Sequence, residues 1–278
     1  MLAPVEIFIS NRSPFSAIYP QTMISVLIQH ISTASSLIRG AHELAGKLGK
    51  QFGVMMLEVP ESRVDKRKNT LETHLSEMKI EADYLAVRSS GVSELSDICE
   101  TDEVSFLFIQ LPRHESRVIK KYLHACRILR IPYVIHKDSF AEMNFSKVLV
   151  PVNFLIEEIE KAQFAAAFGR FCNAEIILLQ AKDYGSKAAT NVEKISTVLD
   201  KFNLQYQVEK GKKDSFKIEF DAVNYVRKHP CGLIIASASR EYGLDDIVFG
   251  PKELHLIIKS PVPVMLINPR GDLYVLCD

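Results

Sequence analysis

The feature of this sequence that most constrains its fold is an internal repeat. An apolar strand, a long amphipathic helix and a second apolar strand occur between Met23 and Val59, and the same pattern returns about 123 residues later. In the second copy, KVLVPV (147–152) and AEIILLQ (174–180) are continuous β-rich runs on either side of the helical stretch IEEIEKAQFAAAFGRF. Continuous apolar strands are typical of a sheet covered on both faces. The repeat therefore predicts two similar units in one chain.

Both copies continue with alternating strands and helices. The further strands are predicted at ADYLAV, VSFLFIQ and IPYVI in the first half and at QYQVEKG, GLIIASA and VPVMLI in the second. Such alternation is typical of parallel βαβ units with right-handed crossovers. We therefore predict an α/β fold with two tandem open five-stranded parallel sheets flanked by helices. The predicted domains are residues 1–138 and 147–278, joined by a short linker.

Composition narrows the functional classes. The 34 Lys and Arg residues balance 34 Asp and Glu residues, so the chain lacks the basic excess of a nucleic-acid binder. No apolar run approaches the roughly 20 residues of a membrane helix, so we expect no membrane partner. Five scattered cysteines without a CxxC pattern predict reduced thiols and a cytoplasmic location. The His and Cys spacings match no metal motif, and no G-x-S-x-G elbow is present, so we expect neither a metal site nor an enzyme.

The second half carries motifs of a known family: LVPVN at its start, an Ala-rich helix, LL at the end of its second strand, and two closing strands separated by a glycine-containing loop. On these residues Lys147–Asn268 resembles the universal stress protein family. The first half resembles the same family through HELAGKLGKQ, GVMMLEV and IPYVI. The resemblance implies a tandem universal stress protein with Rossmann-like, adenine nucleotide alpha hydrolase-like domains. It also implies that the two halves pack as an internal pseudo-dimer through their last strands, and it allows a homodimer.

The resemblance implies a nucleotide site at the carboxyl ends of the second-half strands. Many members of the family bind ATP through a Gly-x-x-Gly loop after the fourth strand and a Gly-Ser or Gly-Thr that begins the next helix, because close backbone approach and free N–H groups hold the phosphates. The positions at or beside that motif are the candidate nucleotide-binding residues Pro151, Val152, Asn153, Ala236, Ser237, Ser239, Arg240, Gly250 and Lys252.

Several of these positions depart from the family pattern. Ala236 and Ser239 stand for the two glycines, and Asn153 stands for the usual Asp. Pro251 removes an N–H and a hydroxyl from the phosphate cradle. Two lost hydrogen bonds to a charged group, at roughly 1.5 to 3 kcal/mol each, weaken binding by about a hundredfold or more. Glu253 in the same helical turn repels a phosphate. We expect no cofactor, and ATP in the second half is the alternative.

The first half lacks the motif. The chain passes from VSFLFIQ almost directly into a helix without a glycine-bearing loop, and His30 falls near the acidic position, so no nucleotide is expected there. Basic clusters at 63–69 and 209–217 are interpreted as solvated loops. The sequence thus predicts a stress-response binding or regulatory module without catalytic machinery. The alternatives are an ATP-binding switch or slow ATPase that uses the second-half cleft, and an interaction protein that recruits partners through its last strands or terminal extensions.

Overall fold

A computed structural model describes residues 22–112, 115–140, 142–239 and 252–270. Two of the candidate site residues, Arg240 and Gly250, lie outside these ranges, as do the start of the first predicted domain and the end of the second. The strands are β1 Met23–Leu27, β2 Gln51–Met56, β3 Tyr84–Val87, β4 Val104–Leu111, β5 Tyr133–Lys137, β6 Lys147–Val152, β7 Glu175–Gln180, β8 Tyr206–Lys210, β9 Leu233–Ser237 and β10 Val264–Ile267. The predicted α/β alternation is confirmed.

The helices follow the predicted stretches with bounds shifted by a few residues. They are α1 Ser35–Leu48, α2 Val64–Glu77, α3 Leu95–Thr101, α4 Ser116–Cys126, α5 Lys161–Cys172, α6 Lys187–Lys201, α7 Ile218–Val226 and α8 Lys252–Lys259. Short 3-10 turns precede four of them, at Ile31–Thr33, Glu61–Arg63, Val92–Glu94 and Ile156–Glu160. The basic cluster at 63–69 therefore lies mostly in the first turns of α2, and its interpretation as a loop was wrong.

The ten strands form one sheet in the order β3-β2-β1-β4-β5-β10-β9-β6-β7-β8. Neighbouring strands within each half are parallel, and the order in the second half repeats that of the first. The halves meet where β5 and β10 pair antiparallel, with Tyr133 opposite Leu266 and Ile135 opposite Val264. The two predicted five-stranded sheets are thus the two halves of one continuous sheet.

Strand register gives the correspondence between the halves. Met23 pairs with Gln51, and Lys147 pairs with Glu175, so equivalent residues in the first two strands differ by 124 in number. By the same reasoning equivalent residues differ by 127 in the fourth strands and by 131 in the last strands.

This correspondence corrects one position. Gln29, rather than His30, is equivalent to Asn153 at the end of the first strand of each half. In the fourth strands, Gln110 is equivalent to Ser237. These four residues lie at the carboxyl ends of the central strands, where open α/β sheets bind their ligands.

The helices cover the two faces of the sheet in two layers. Most buried residues of α1, α2, α5 and α6 belong to one hydrophobic cluster, and those of α3, α4, α7 and α8 belong to the other. Both faces are covered, as expected for strands that read as continuous apolar runs.

Two equivalent residues at the junction cap helices of the opposite half. Lys137, at the end of β5, donates from Nζ to the carbonyl oxygens of Ile258 (3.1 Å) and Ser260 (2.7 Å) at the end of α8. Asn268 donates from Nδ2 to the carbonyls of Cys126 (2.7 Å) and Leu129 (2.8 Å) at the end of α4. Helix carboxyl ends leave carbonyls without intrahelical partners, so each half supplies donors that the other half lacks.

Candidate functional site

A buried carboxylate occupies the carboxyl ends of β6 and β9, where the nucleotide site was predicted. Glu158 accepts hydrogen bonds from the Asn153 N–H (2.9 Å), the Ser237 hydroxyl (2.8 Å) and the Lys161 ammonium (2.7 Å). Its side chain is only 1% exposed. A buried carboxylate is tolerated when it is paired and hydrogen-bonded. Glu158 therefore connects the first and fourth strands of the second half.

Lys161 completes this group. Its ammonium, also 1% exposed, donates to Glu158 and to the Pro151 carbonyl oxygen. Glu158 and Lys161 are three residues apart, so the 3-10 turn and the start of α5 bring both over the strand ends. The space above β6 thus holds a fixed internal ion pair.

The loop after β6 is tied down by amide side chains. The Asn153 Oδ1 atom accepts from the Leu155 N–H (2.8 Å), which is the local Asx-type turn that this residue favours. Asn191 of α6 donates from Nδ2 to the carbonyls of Asn153 (2.9 Å) and Leu155 (2.7 Å). Asn153 therefore organises the loop with its side-chain oxygen, and α6 is fastened directly to that loop.

A second carboxylate binds Ser239, the second residue after β9. The backbone N–H of Ser239 donates to Oε1 of Glu253, and the Ser239 hydroxyl lies 3.0 Å from Oε2 of the same side chain. Glu253 is 5% exposed and lies in the first turn of α8. A carboxylate at a helix N-terminus is favoured by the helix dipole. Both donors of Ser239 are thus used by an internal anion.

In the first half a neutral side chain, the amide of Gln110, links the carboxyl ends of the strands. Gln110, which is 1% exposed, accepts at Oε1 from the N–H groups of Gln29 (2.8 Å) and His30 (2.9 Å). Its Nε2 donates to the His30 carbonyl (3.1 Å), the Thr33 hydroxyl (2.8 Å) and Asp138 Oδ1 (2.7 Å). One amide thus joins β1, β4 and the segment after β5.

Solved structures with this architecture are known. A universal stress protein from Archaeoglobus fulgidus DSM 4304 superimposes with a TM-score of 0.62 at 15% identity, over 90% of this chain and 99% of that one. A functionally unknown protein from Pseudomonas aeruginosa PAO1 gives 0.58 at 12% identity, over 89% and 92% of the two chains. The cytoplasmic domain of a prokaryotic cation chloride cotransporter gives 0.53 at 11% identity, over 88% and 95%.

The chain has the universal stress protein fold. No family model matches the sequence, and no curated protein matches it. The structural likeness extends over both halves, whereas the sequence motifs are distinct mainly in the second.

Within the universal stress protein fold, the candidate residues divide into three groups. Asn153, Ser237 and Pro151 are brought together through Glu158 and Lys161. Val152 and Ala236 are buried in the sheet. Ser239 contacts Glu253, and Lys252 is the first residue of α8. The structure therefore unites three of the candidates around one carboxylate and places another on a second carboxylate.

Sequence reasoning missed Glu158, Lys161 and Asn191. Each is a polar residue that is almost fully buried on a helix or turn of the universal stress protein fold. A charged pair spaced three residues apart just before the Ala-rich face of α5 was the available signal for the first two. Their partner Ser237 is 79 residues away from Glu158, so no local pattern contained the contact.

The four cysteines of the described chain have raised pKa values. Burial raises the pKa of Cys99 to about 12 and the pKa values of Cys172 and Cys231 to about 11, and it raises the pKa of Cys126 well above its ordinary value. These four cysteines are free of disulfide bonds. Because the thiolate is the nucleophile, they are poor nucleophiles at neutral pH.

The described residues include neither a metal-binding cluster nor a membrane-spanning helix. No group of three or more His, Cys, Asp or Glu residues is arranged to hold a metal ion in this part of the chain. None of the helices within the same ranges is long and apolar enough to cross a bilayer.

Proposed function

We propose that this chain is a cytoplasmic tandem universal stress protein, and that it works as a non-enzymatic binding or regulatory module whose second-half nucleotide site is closed by its own carboxylates. The contact between Glu253 and Ser239 carries the proposal. The family resemblance assigns the phosphates to this loop and to the start of the following helix. Here a carboxylate takes the N–H and hydroxyl that a phosphate oxygen would take.

Displacing Glu253 is unfavourable for a phosphate. The incoming anion would have to break both contacts with Ser239 and leave a carboxylate nearby without those donors. An unsatisfied buried polar group costs about 1 to 3 kcal/mol, and more when it is charged. Repulsion between phosphate and carboxylate adds to this cost. The contact between Glu253 and Ser239 is therefore favoured over nucleotide binding.

The strand ends support the same proposal. Ser237 is hydrogen-bonded to Glu158, which is already neutralised by Lys161. Buried networks with their hydrogen bonds satisfied are rigid, and opening one exposes several polar groups at once. A nucleotide would have to compete with this network as well as with Glu253.

The chemistry of the described residues supports a non-enzymatic role and a reducing location. The thiols carry raised pKa values, and Lys161 is held by a carboxylate and a carbonyl. Neither group is poised as a nucleophile or base. Four free cysteines fit a reducing compartment, which is the basis for proposing the cytoplasm.

We test the closed site by isothermal titration calorimetry with ATP and magnesium, with AMP as the comparison. The wild-type protein is expected to give no binding heat up to millimolar nucleotide. Glu253→Ser removes the carboxylate and keeps a short polar side chain, so this variant is expected to gain ATP binding. Glu193→Ser, an exposed change on α6, is the matched control and should behave as wild type. Circular dichroism establishes that each variant is folded.

Micromolar ATP binding by the wild-type protein would overturn the proposal and favour the ATP-binding switch. Phosphate release in the presence of magnesium would then separate a slow ATPase from a switch. Failure of Glu253→Ser to gain any binding would show that another departure from the family pattern, such as Pro251, is sufficient to exclude the nucleotide.

We also propose that the halves act as an internal pseudo-dimer. The antiparallel pairing of β5 with β10 and the reciprocal caps from Lys137 and Asn268 support this arrangement. The junction uses the inner edge of each half, so a homodimer would have to form through other surfaces. Light scattering over a range of protein concentrations measures that association.

A further inference from the structure

An open groove of about 890 Å³ lies in the first half, beside His30 of the Gln110 network and away from the carboxylate contacts of the second half. One wall is the loop and 3-10 turn after β1, at residues 30–32, and the other is one face of α2. Apart from Ile31, every lining residue is polar or charged. Its volume lies in the range of small-molecule sites.

The groove corresponds to a difference between the halves at one equivalent position. The offset of 124 aligns the buried Leu71 and Leu75 of α2 with Ile195 and Leu199 of α6, and it aligns Arg67 with Asn191. In the second half, Asn191 fastens α6 to the loop after β6.

Arg67 instead is exposed and lines the open groove. Among the described residues its side chain has no ion pair. The first half therefore has a space and a cation where the second half has an amide cross-link.

Charge is concentrated at one end of this groove. Lys66 and Arg67 are adjacent, and neither forms an ion pair in the described part of the chain. The carboxylate that also lines the groove, Glu77, lies roughly three helical turns further along α2. Asn69 and Thr70 add neutral hydrogen-bonding groups near the cationic end.

We propose that this groove binds a small soluble phosphomonoester, with the phosphate at Lys66 and Arg67 and the hydroxylated remainder along α2. Arg and Lys are the side chains that pair with phosphate, and Arg does so with two parallel hydrogen bonds. The Asn69 amide donates and accepts hydrogen bonds. The Thr70 and Thr73 hydroxyls donate to the carbonyls of Lys66 (2.8 Å) and Asn69 (2.9 Å) and keep lone pairs that accept from a sugar hydroxyl. A lipid is disfavoured because Ile31, the apolar lining residue, is itself buried and the other described lining residues are polar or charged.

The groove is separate from the phosphate cradle that the family resemblance implies. That cradle lies at the start of the helix that follows the fourth strand of each half. This helix is α4 in the first half and α8 in the second, and both pack on the same face of the sheet. The leucines of α2 pack in the other layer. Ligand binding here therefore requires neither the glycine-bearing loop nor the contact between Glu253 and Ser239.

The test is a titration of the protein with ribose 5-phosphate at low salt. Binding is monitored by the NMR chemical shifts of the backbone amides and by calorimetry. Inorganic phosphate and ribose are titrated in parallel to separate the two parts of the ligand. Ribose 5-phosphate is expected to bind in the millimolar range or tighter, with shifts confined to residues 30–36 and to α2, and ribose alone is expected not to bind. The double variant Lys66→Gln/Arg67→Gln should lose roughly tenfold or more in affinity, because charge-assisted hydrogen bonds are removed.

Lys68→Gln is the matched control, since Lys68 is an exposed cation on the same helix that does not line the groove. It should leave the affinity within about twofold, because Lys68 lies outside the groove and makes no contact with the phosphate, so its charge acts only through screening solvent. Two results would overturn the proposal: no shifts with ribose 5-phosphate or phosphate at tens of millimolar, or an equal loss in the control, which would indicate unspecific attraction. The ATP result with Glu253→Ser is independent of both.

Discussion

The two halves of this molecule reach the same architecture with different polar chemistry at the same place. In the first half a neutral amide, that of Gln110 in β4, satisfies the backbone just after β1. In the second half the equivalent junction is organised by Glu158 and Lys161. The strand order is identical, so backbone geometry does not decide whether the junction is neutral or ionic. The difference shows that one fold tolerates either solution at these strand ends, where the buried side chains of Gln110, Glu158 and Lys161 are all hydrogen-bonded.

The first and largest effect is expected from Glu158→Ala, which breaks the ionic junction. It leaves the Lys161 ammonium buried without its carboxylate, and removing one partner of a buried pair costs about 3 to 5 kcal/mol. Urea unfolding measures the loss. The exposed Glu43, which pairs with Lys47 on α1, supplies the control. Glu43→Ala should change the free energy of unfolding by less than about 1 kcal/mol.

A double variant sharpens this result. Glu158→Leu/Lys161→Met replaces the pair by apolar side chains of similar size and should recover much of the loss, because well-packed apolar replacements of buried ion pairs are often neutral. Equal stability of Glu158→Ala and the exposed control would contradict the assigned role of the ion pair.

The second effect concerns His136 in β5, which is equivalent to Ile267 in β10. Burial lowers the pKa of His136 to about 4, and neither ring nitrogen has a hydrogen-bond partner among the described residues. The ordinary pKa of histidine is about 6.5, so as the pH falls below that value the unfolded chain binds a proton and the folded chain does not. The free energy of unfolding therefore decreases from about pH 6.5 down to about pH 4, where folded His136 also takes up a proton. The loss across this window is about 3 kcal/mol.

The matched variant is His136→Ile, which gives the first half the residue of the second. Unfolding curves at pH 7, 5.5 and 4 give the free energy of unfolding of both proteins. Between pH 7 and pH 4 that free energy should fall by about 3 kcal/mol more for the wild type than for the variant. Parallel pH profiles for the two proteins would show that other groups govern the acid response.

The third and smallest effect is expected from Gln110→Ala in the neutral junction. It leaves the Gln29 and His30 N–H groups without their acceptor, at a cost of about 1 to 3 kcal/mol, with no charge left buried. The free energy of unfolding by urea measures it, with the exposed Gln207→Ala on β8 as control. A loss larger than that of Glu158→Ala would reverse the comparison between the halves.

The fold could be predicted from the sequence because its signals are local. Runs such as KVLVPV and AEIILLQ carry the strand pattern within six or seven residues, and helical spacing carries α1 and α5. Register was less accessible, because a shift of one residue distinguishes Gln29 from His30 and sequence alone does not align the halves that finely.

The candidate site could be predicted only in part. The location of Glu253 in the first turn of α8, and its effect on a phosphate, followed from the helix pattern. Its contact with Ser239 did not follow, because it joins residues on either side of a loop. The network of Glu158 was hidden for the same reason, since buried polar contacts depend on which distant elements pack together. The groove beside α2 was also hidden, because the cluster around Arg67 looks like any solvated basic segment until its equivalent, Asn191, is identified.

The junction of β5 with β10 has a consequence for how such a molecule changes over time. When two identical chains pair through their last strands, every substitution is made twice and must suit both copies. Here the paired units are covalently continuous, so their association does not depend on dilution and each unit accumulates substitutions alone. The exchange of helix caps by Lys137 and Asn268 shows the result: two equivalent positions keep one task with two unlike side chains. A substitution in one half of such a chain need not suit the other half.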